Sequence, residues 1–91
     1  MSVSFSLGSL VATPAALEAL QSARQSPAEF LSRHASGDWG DVDATDRKLN
    51  NAAVKNGERI LSAYKTKDGE RIWIITEADR GSTCILLPEE Y

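Results

Sequence analysis

Apolar and polar positions divide this chain into two parts. Over residues 59–87, RILSAYKTKDGERIWIITEADRGSTCILL, short apolar runs alternate with turn signals, whereas upstream the apolar residues fall at helical spacing. The first run, 59–64, is bounded by Asn56-Gly57 on one side and by Lys65-Thr66-Lys67-Asp68-Gly69 on the other. Asp68-Gly69 predicts a type I′ hairpin turn with positive φ at both central residues. The second run, Ile72-Trp73-Ile74-Ile75, is apolar at every position, the pattern of a middle strand shielded on both faces. The third, 82–87, stops at Pro88, which cannot donate to a ladder. Two turns in so short a stretch leave no room for a helix, so the C-terminal third reads as a three-stranded meander.

Upstream, Ser2 to Leu7 alternates polar and apolar residues, and Leu10-Val11-Ala12 follows Gly8. Residues 3–12 therefore read as a fourth strand bent at Gly8. Thr13-Pro14 supplies an N-cap and a first-turn proline for a helix over 14–24, with Leu17 and Leu20 on its apolar face. Ser26-Pro27-Ala28-Glu29 has the form of a capping box and starts a second helix over 27–35, closed by Gly37. A loop, Gly37-Asp38-Trp39-Gly40-Asp41-Val42-Asp43, leads to a third helix at 44–56, capped by Asp43 or Thr45. Leu49, Ala52 and Ala53 form its expected inward face, and Asn56-Gly57 its left-handed stop. The fold class is α+β: two short helices and a third, packed on one face of a small antiparallel sheet. Tyr91 is either a solvated tail residue or a ring docked on the sheet edge.

At 91 residues the chain makes one domain, and a core of this size would gain from dimerisation. Its 42% hydrophobic and 25% charged content is that of an ordinary soluble globule, with no run long enough to span a membrane. A single cysteine, Cys84, cannot form an internal disulfide, and the start MSVSFSLGSLVATP lacks the basic region and long apolar core of a signal peptide. Both point to the cytoplasm. The net charge of −3 argues against non-specific nucleic-acid binding.

Three polar groups could carry chemistry. Arg33-His34 precedes Asp38, Asp41 and Asp43: a histidine beside carboxylates can act as a general base, and equally as a cation at a helix C-terminus. The turn Thr76-Glu77-Ala78-Asp79-Arg80 gathers two acids and a base at a hairpin tip, either ordinary turn residues with Glu77 paired to Arg80 or Arg71, or a recognition surface. Trp39, framed by glycines, is a core plug or a binding anchor, and Trp73 is core. One Cys and one His cannot build a structural zinc site, and the aspartates around Trp39 lack the spacing, central glycine and terminal Glu of a calcium loop. No phosphate-cradling loop or nucleophile elbow is present, so no metal or cofactor is expected.

The blocks LGSLVATPAALEAL, RHASGDWGDVDATDRKLNNAAVKNGERILSAY, IWIITEADR and ILLPEEY together resemble a family of small bacterial "plasmid-related" proteins carried on plasmids and integrative mobile elements. Some members are labelled type I restriction subunit M, yet this chain has neither the glycine loop nor the Asn/Asp-Pro-Pro-aromatic motif of an amino-methyltransferase. The resemblance covers residues 7–91 and departs from the family pattern at Gly81-Ser82-Thr83-Cys84. It implies a genetic context rather than a mechanism, and its motif falls on Arg33, His34, Asp38, Trp39, Asn50, Ser62, Tyr64, Thr76, Glu77, Asp79 and Arg80.

The leading expectation is a non-enzymatic accessory protein that binds another protein of host defence or element maintenance, through Arg33, His34, Asp38, Trp39, Glu77, Asp79 and Arg80. The alternative is a small metal-independent ribonuclease of toxin type, with His34 as base, Glu77 as acid and Arg80 on the phosphate charge. That requires the three side chains to converge in one concave site. A DNA-binding regulator using Arg47, Lys48 and Lys55 ranks last, because Asp46 and Glu58 interrupt those bases.

Overall fold

The structure, a computed structural model, describes residues 5–91. In chain order the elements are β1 (Ser9–Ala12), α1 (Pro14–Ser22), α2 (Pro27–Ala35), α3 (Ala44–Asn56), β2 (Ile60–Lys65), β3 (Arg71–Thr76) and β4 (Ser82–Leu86), followed by a 3-10 turn, Pro88–Glu90. Capping chemistry starts α1 and α3, and stops α3, where the sequence predicts. The Thr13 hydroxyl accepts from the Ala16 amide at α1, Asp43 accepts from the Asp46 amide at α3, and Gly57 closes α3 in the left-handed region. Ser26 makes no side-chain cap. Glu29 instead accepts from the Gln25 side chain, so the predicted capping box does not form.

The sheet order is β1-β4-β3-β2, and the meander pairs antiparallel as expected. The sheet is nevertheless mixed, because β1 pairs parallel to β4, with Leu10 opposite Thr83 and Ala12 opposite Ile85. The predicted strand over 3–12 is reduced to its second half; residues 3 and 4 lie outside the described residues, and 5–8 run irregularly. The β2–β3 turn also differs from expectation. Only Gly69 takes positive φ, and Thr66 pairs with Glu70, so Lys67-Asp68-Gly69 forms a three-residue loop with glycine in the left-handed place.

Strand alternation sends Ile60, Ser62, Tyr64, Ile72, Ile74, Thr76, Thr83 and Ile85 to one face, all of them buried. There Ala16 and Leu20 of α1 and Phe30 of α2 complete the main apolar core. On the opposite face Ile75 and Leu86 are buried and Trp73 is half-buried. Tyr91 approaches Trp73 edge-on at 5.6 Å between centroids while remaining 65% exposed. β3 is thus sheltered by helices on one side and in part by the returning C-terminus on the other.

Of the residues predicted to face inward on α3, Ala53 does and Leu49 and Ala52 do not. Leu49 is 61% exposed, and the buried residues are Asn50 and Ala53. The reason is the position of the helix along the outer edge of β2. An edge strand leaves backbone groups open, and the Asn50 amide closes two of them, donating to the Leu61 carbonyl at 2.7 Å and accepting from its amide at 3.2 Å. Ala63 is closed in the same way by the loop, its amide donating to Trp39 O and its carbonyl accepting from Asp41 N. α1 likewise buries Ala16, Ala19 and Leu20, leaving Leu17 43% exposed.

Candidate functional site

Phe30 and His34, four residues apart on α2, share its buried face. His34 is fully buried and its two ring nitrogens meet hydroxyls on neighbouring strands, Nδ1 that of Ser62 and Nε2 that of Thr76 at 2.8 Å. Thr76 Oγ1 lies 2.8 Å from Thr83 Oγ1, and Thr83 donates to the Leu7 carbonyl at 2.7 Å. That carbonyl can only accept, which sets the direction of the whole chain. Thr83 takes its remaining bond from Thr76, Thr76 takes its own from His34 Nε2–H, and the bare Nδ1 accepts from Ser62. His34 therefore carries a proton on Nε2, and its lowered pKa leaves Nδ1 bare at neutral pH. Burial alone pushes its pKa down from 6.5 to about 4. Phe5 and Trp39 wall the ring edge-on at 5.4 and 5.8 Å. His34 is thus neither a solvent-reachable base nor a cation for the helix dipole.

The loop after α2 is held by its polar residues. Arg33 donates from Nε to Asp38 at 2.7 Å and lies over the Tyr64 ring at 4.6 Å, while Asp38 also accepts from Gly40 N. The hydrogen bond from Arg33 is the main cause of a lowered Asp38 pKa. Tyr64 donates its hydroxyl to the Asp38 carbonyl at 2.6 Å, and burial pushes the phenol up to about 12. Trp39 is buried and donates its indole N–H to Asn51 at 3.0 Å. Of its two expected roles, the position is that of a plug.

Arg80 sits at the β3–β4 turn with φ of 61°, a left-handed conformation that costs a non-glycine residue roughly 1–2 kcal/mol. Its guanidinium offsets that cost. It donates to the carbonyls of Glu58, Glu77 and Ala78, and at 2.8 Å to that of Ala53 near the C-terminus of α3, where the helix dipole favours a cation. Asp79 accepts from the Gly81 amide at 2.8 Å, an Asx-type closure of the same turn. Glu77 faces Arg59 at 3.5 Å, and both side chains are about half exposed. Arg80→Ala is expected to lower stability by about 2 kcal/mol, more than Asp79→Ala at about 1 kcal/mol, in urea unfolding. Equal and negligible effects would show that the turn is not clamped.

The residues proposed from sequence thus fall into separate places. His34 and Trp39 are interior, Arg33 and Asp38 pair with each other, and Arg80 braces α3 through backbone carbonyls. Glu77 and Asp79 line a shallow, open depression with Ala78, Gly81 and Ser82. Both ring nitrogens of His34 are engaged elsewhere, Glu77 faces Arg59, and Arg80 is spent on carbonyls, so the three do not meet in one concave site.

A cleft of about 450 Å³ lies on the outer face of the sheet, opposite the core helices. Leu61, Ala63, Tyr64 and Trp73 line it, together with an acidic rim of Asp41, Asp43 and Asp46 beside Val42 and a basic rim of Lys65 and Arg71. None of the seven residues expected to bind a partner lines it, although Asp41 and Asp43 of the acidic loop and Tyr64 of the family motif do. The signal that could have found it is the pair Lys65 and Arg71 flanking the β2–β3 turn, which becomes a same-face pair once the register is known. Among the described residues no group of His, Cys, Asp or Glu is arranged to hold a metal ion, and no helix is long and apolar enough to cross a membrane. Cys84 is half-buried on the outer face, and burial pushes its thiol pKa up. Compared with family models, curated proteins and solved structures, the chain finds no match.

Proposed function

We propose that this chain is a non-enzymatic binding module, an accessory protein of bacterial mobile elements that docks on another protein through the outer face of its sheet. The mobile-element context rests on the resemblance of the GDWGD and ITEADR blocks, and host defence or element maintenance is the setting it suggests. One observation carries the docking surface. The polar side chains best suited to chemistry are consumed in holding the fold, while the outer cleft presents apolar residues and charges on both rims. A concave surface that combines apolar side chains with charges of both signs suits a partner of complementary charge.

The test is affinity purification from cells of the natural type, followed by a binding measurement with the purified partner. A specific protein is expected to co-purify with the wild type and with Asp79→Ala, and Lys65→Glu/Arg71→Glu is expected to weaken its binding about tenfold. Repeated recovery of the chain alone, or undiminished binding by the double variant, would overturn the proposal.

A further inference from the structure

On the reading that the outer face docks a protein, we infer that the cleft takes an extended peptide segment of bipolar charge. A basic side chain lies against Asp41, Asp43 and Asp46, an apolar one over Leu61 and Trp73, and an acidic one against Lys65 and Arg71.

Charge placement is the ground for this. Lys65 and Arg71 are direct partners across the β2–β3 ladder, and like charges directly opposite destabilise a sheet. Among the described residues neither has a carboxylate within ion-pair distance, so no ion pair offsets that repulsion. In the acidic rim Asp43 and Asp46 favour the α3 N-terminus, with Asp43 capping it. The Asp41 carboxylate makes neither a hydrogen bond nor an ion pair among the described residues, although its backbone amide closes the edge of β2. The two rims have opposite sign, line the same cleft and do not pair with each other. A ligand of one sign is attracted to one rim and repelled by the other, whereas a segment carrying both signs in order satisfies both.

The occupant binds by side chains rather than by adding a strand, because the β2 edge beside the cleft is already closed at Leu61 by Asn50 and at Ala63 by the loop.

The experiment is a titration of the isotope-labelled protein, followed by NMR, with three short capped synthetic peptides that share a Leu-Phe centre. One carries lysines on one side and glutamates on the other, one lysines on both sides, and one glutamates on both. The bipolar peptide is expected to shift the amides of Leu61, Ala63 and Trp73 and to bind about tenfold tighter than either single-sign peptide, a preference that fades at high salt. In Lys65→Glu/Arg71→Glu the preference is expected to pass to the lysine peptide. Equal binding of all three peptides overturns the inference. So do shifts confined to other residues, or shifts of the same residues that grow with protein concentration alone and so identify a second copy as occupant. A partner protein that maps to this face but ignores the charge reversal also overturns it while leaving the docking reading intact; a partner that maps elsewhere removes both.

Discussion

Acidification from neutral pH to about pH 4 is expected to cost the fold about 3 kcal/mol, with His34 as the main source. In the unfolded chain the imidazole takes up a proton near its ordinary value of 6.5, whereas the native state withholds it until about 4. Between those values the unfolded state binds more protons, so stability falls as the pH falls through that window. It is level above it, and this contribution is exhausted below it. Among the described residues no carboxylate pairs with the ring, whose neighbours are the Ser62 and Thr76 hydroxyls and the rings of Phe5 and Trp39. Asp38, held below its ordinary value chiefly by Arg33, adds its own loss only at still lower pH, and its exposed pair is screened by solvent. Two measurements check the prediction. Urea midpoints across the window should slope in the wild type and flatten in His34→Gln, and the His34 ring proton should titrate near pH 4. A titration midpoint near 6.5 would show that the ring is solvated and would remove the hydroxyl relay with it.

That relay shows what could and could not be read from the residue string. The meander, its two turns, the caps at Thr13 and Asp43 and the stop at Gly57 depend on interactions within a few residues, and they stand where local chemistry puts them. The parallel pairing of β1 joins residues 9–12 to 82–85, a contact across nearly the whole chain that no local pattern encodes. α3 misled for another reason. Its partner is a strand edge rather than a sheet face, so its inward residue is an amide that completes hydrogen bonds, and an apolar-face rule passes over Asn50. For His34 the signal existed in pieces: Phe30 and His34 at helical spacing, with Ser62, Thr76 and Thr83 at inward strand positions. Only the register brings those hydroxyls together. The motif residues carried by the resemblance, from Arg33 to Arg80, all make side-chain bonds inside the fold, several of them tying a loop or a turn to an element. They read as the hydrogen-bonded frame of the molecule, and the cleft proposed for docking opens on the other side of the sheet.

Gly40→Ala is expected to remove about 3–5 kcal/mol, a large part of the 5–15 kcal/mol typical of a small domain. Gly40 has φ of 75°, and a Cβ built there would overlap the Ala63 carbonyl oxygen and come within 2.6 Å of the Tyr64 ring. The obstacle is backbone and cannot yield. The same carbonyl accepts from Asp41 N, and the Ala63 amide donates to Trp39 O at 3.0 Å. A methyl group therefore forces the loop off β2, opens two edge hydrogen bonds worth about 1 kcal/mol each, and loosens Trp39 over the His34 relay. Gly57→Ala is the matched control. Its φ is 70°, nearly the same, yet nothing lies within 4 Å of the added atom, so only the left-handed strain of about 1 kcal/mol remains. For a domain of this length each kcal/mol moves the melting temperature by about 4–8 °C, so the Gly40 variant should melt roughly 15–30 °C lower and the Gly57 variant only a few degrees lower. Backbone strain is common to both positions and close approach belongs to one. Equal shifts would mean that the loop can leave β2 at little cost, and that the edge of the sheet is not closed by the contacts that define it.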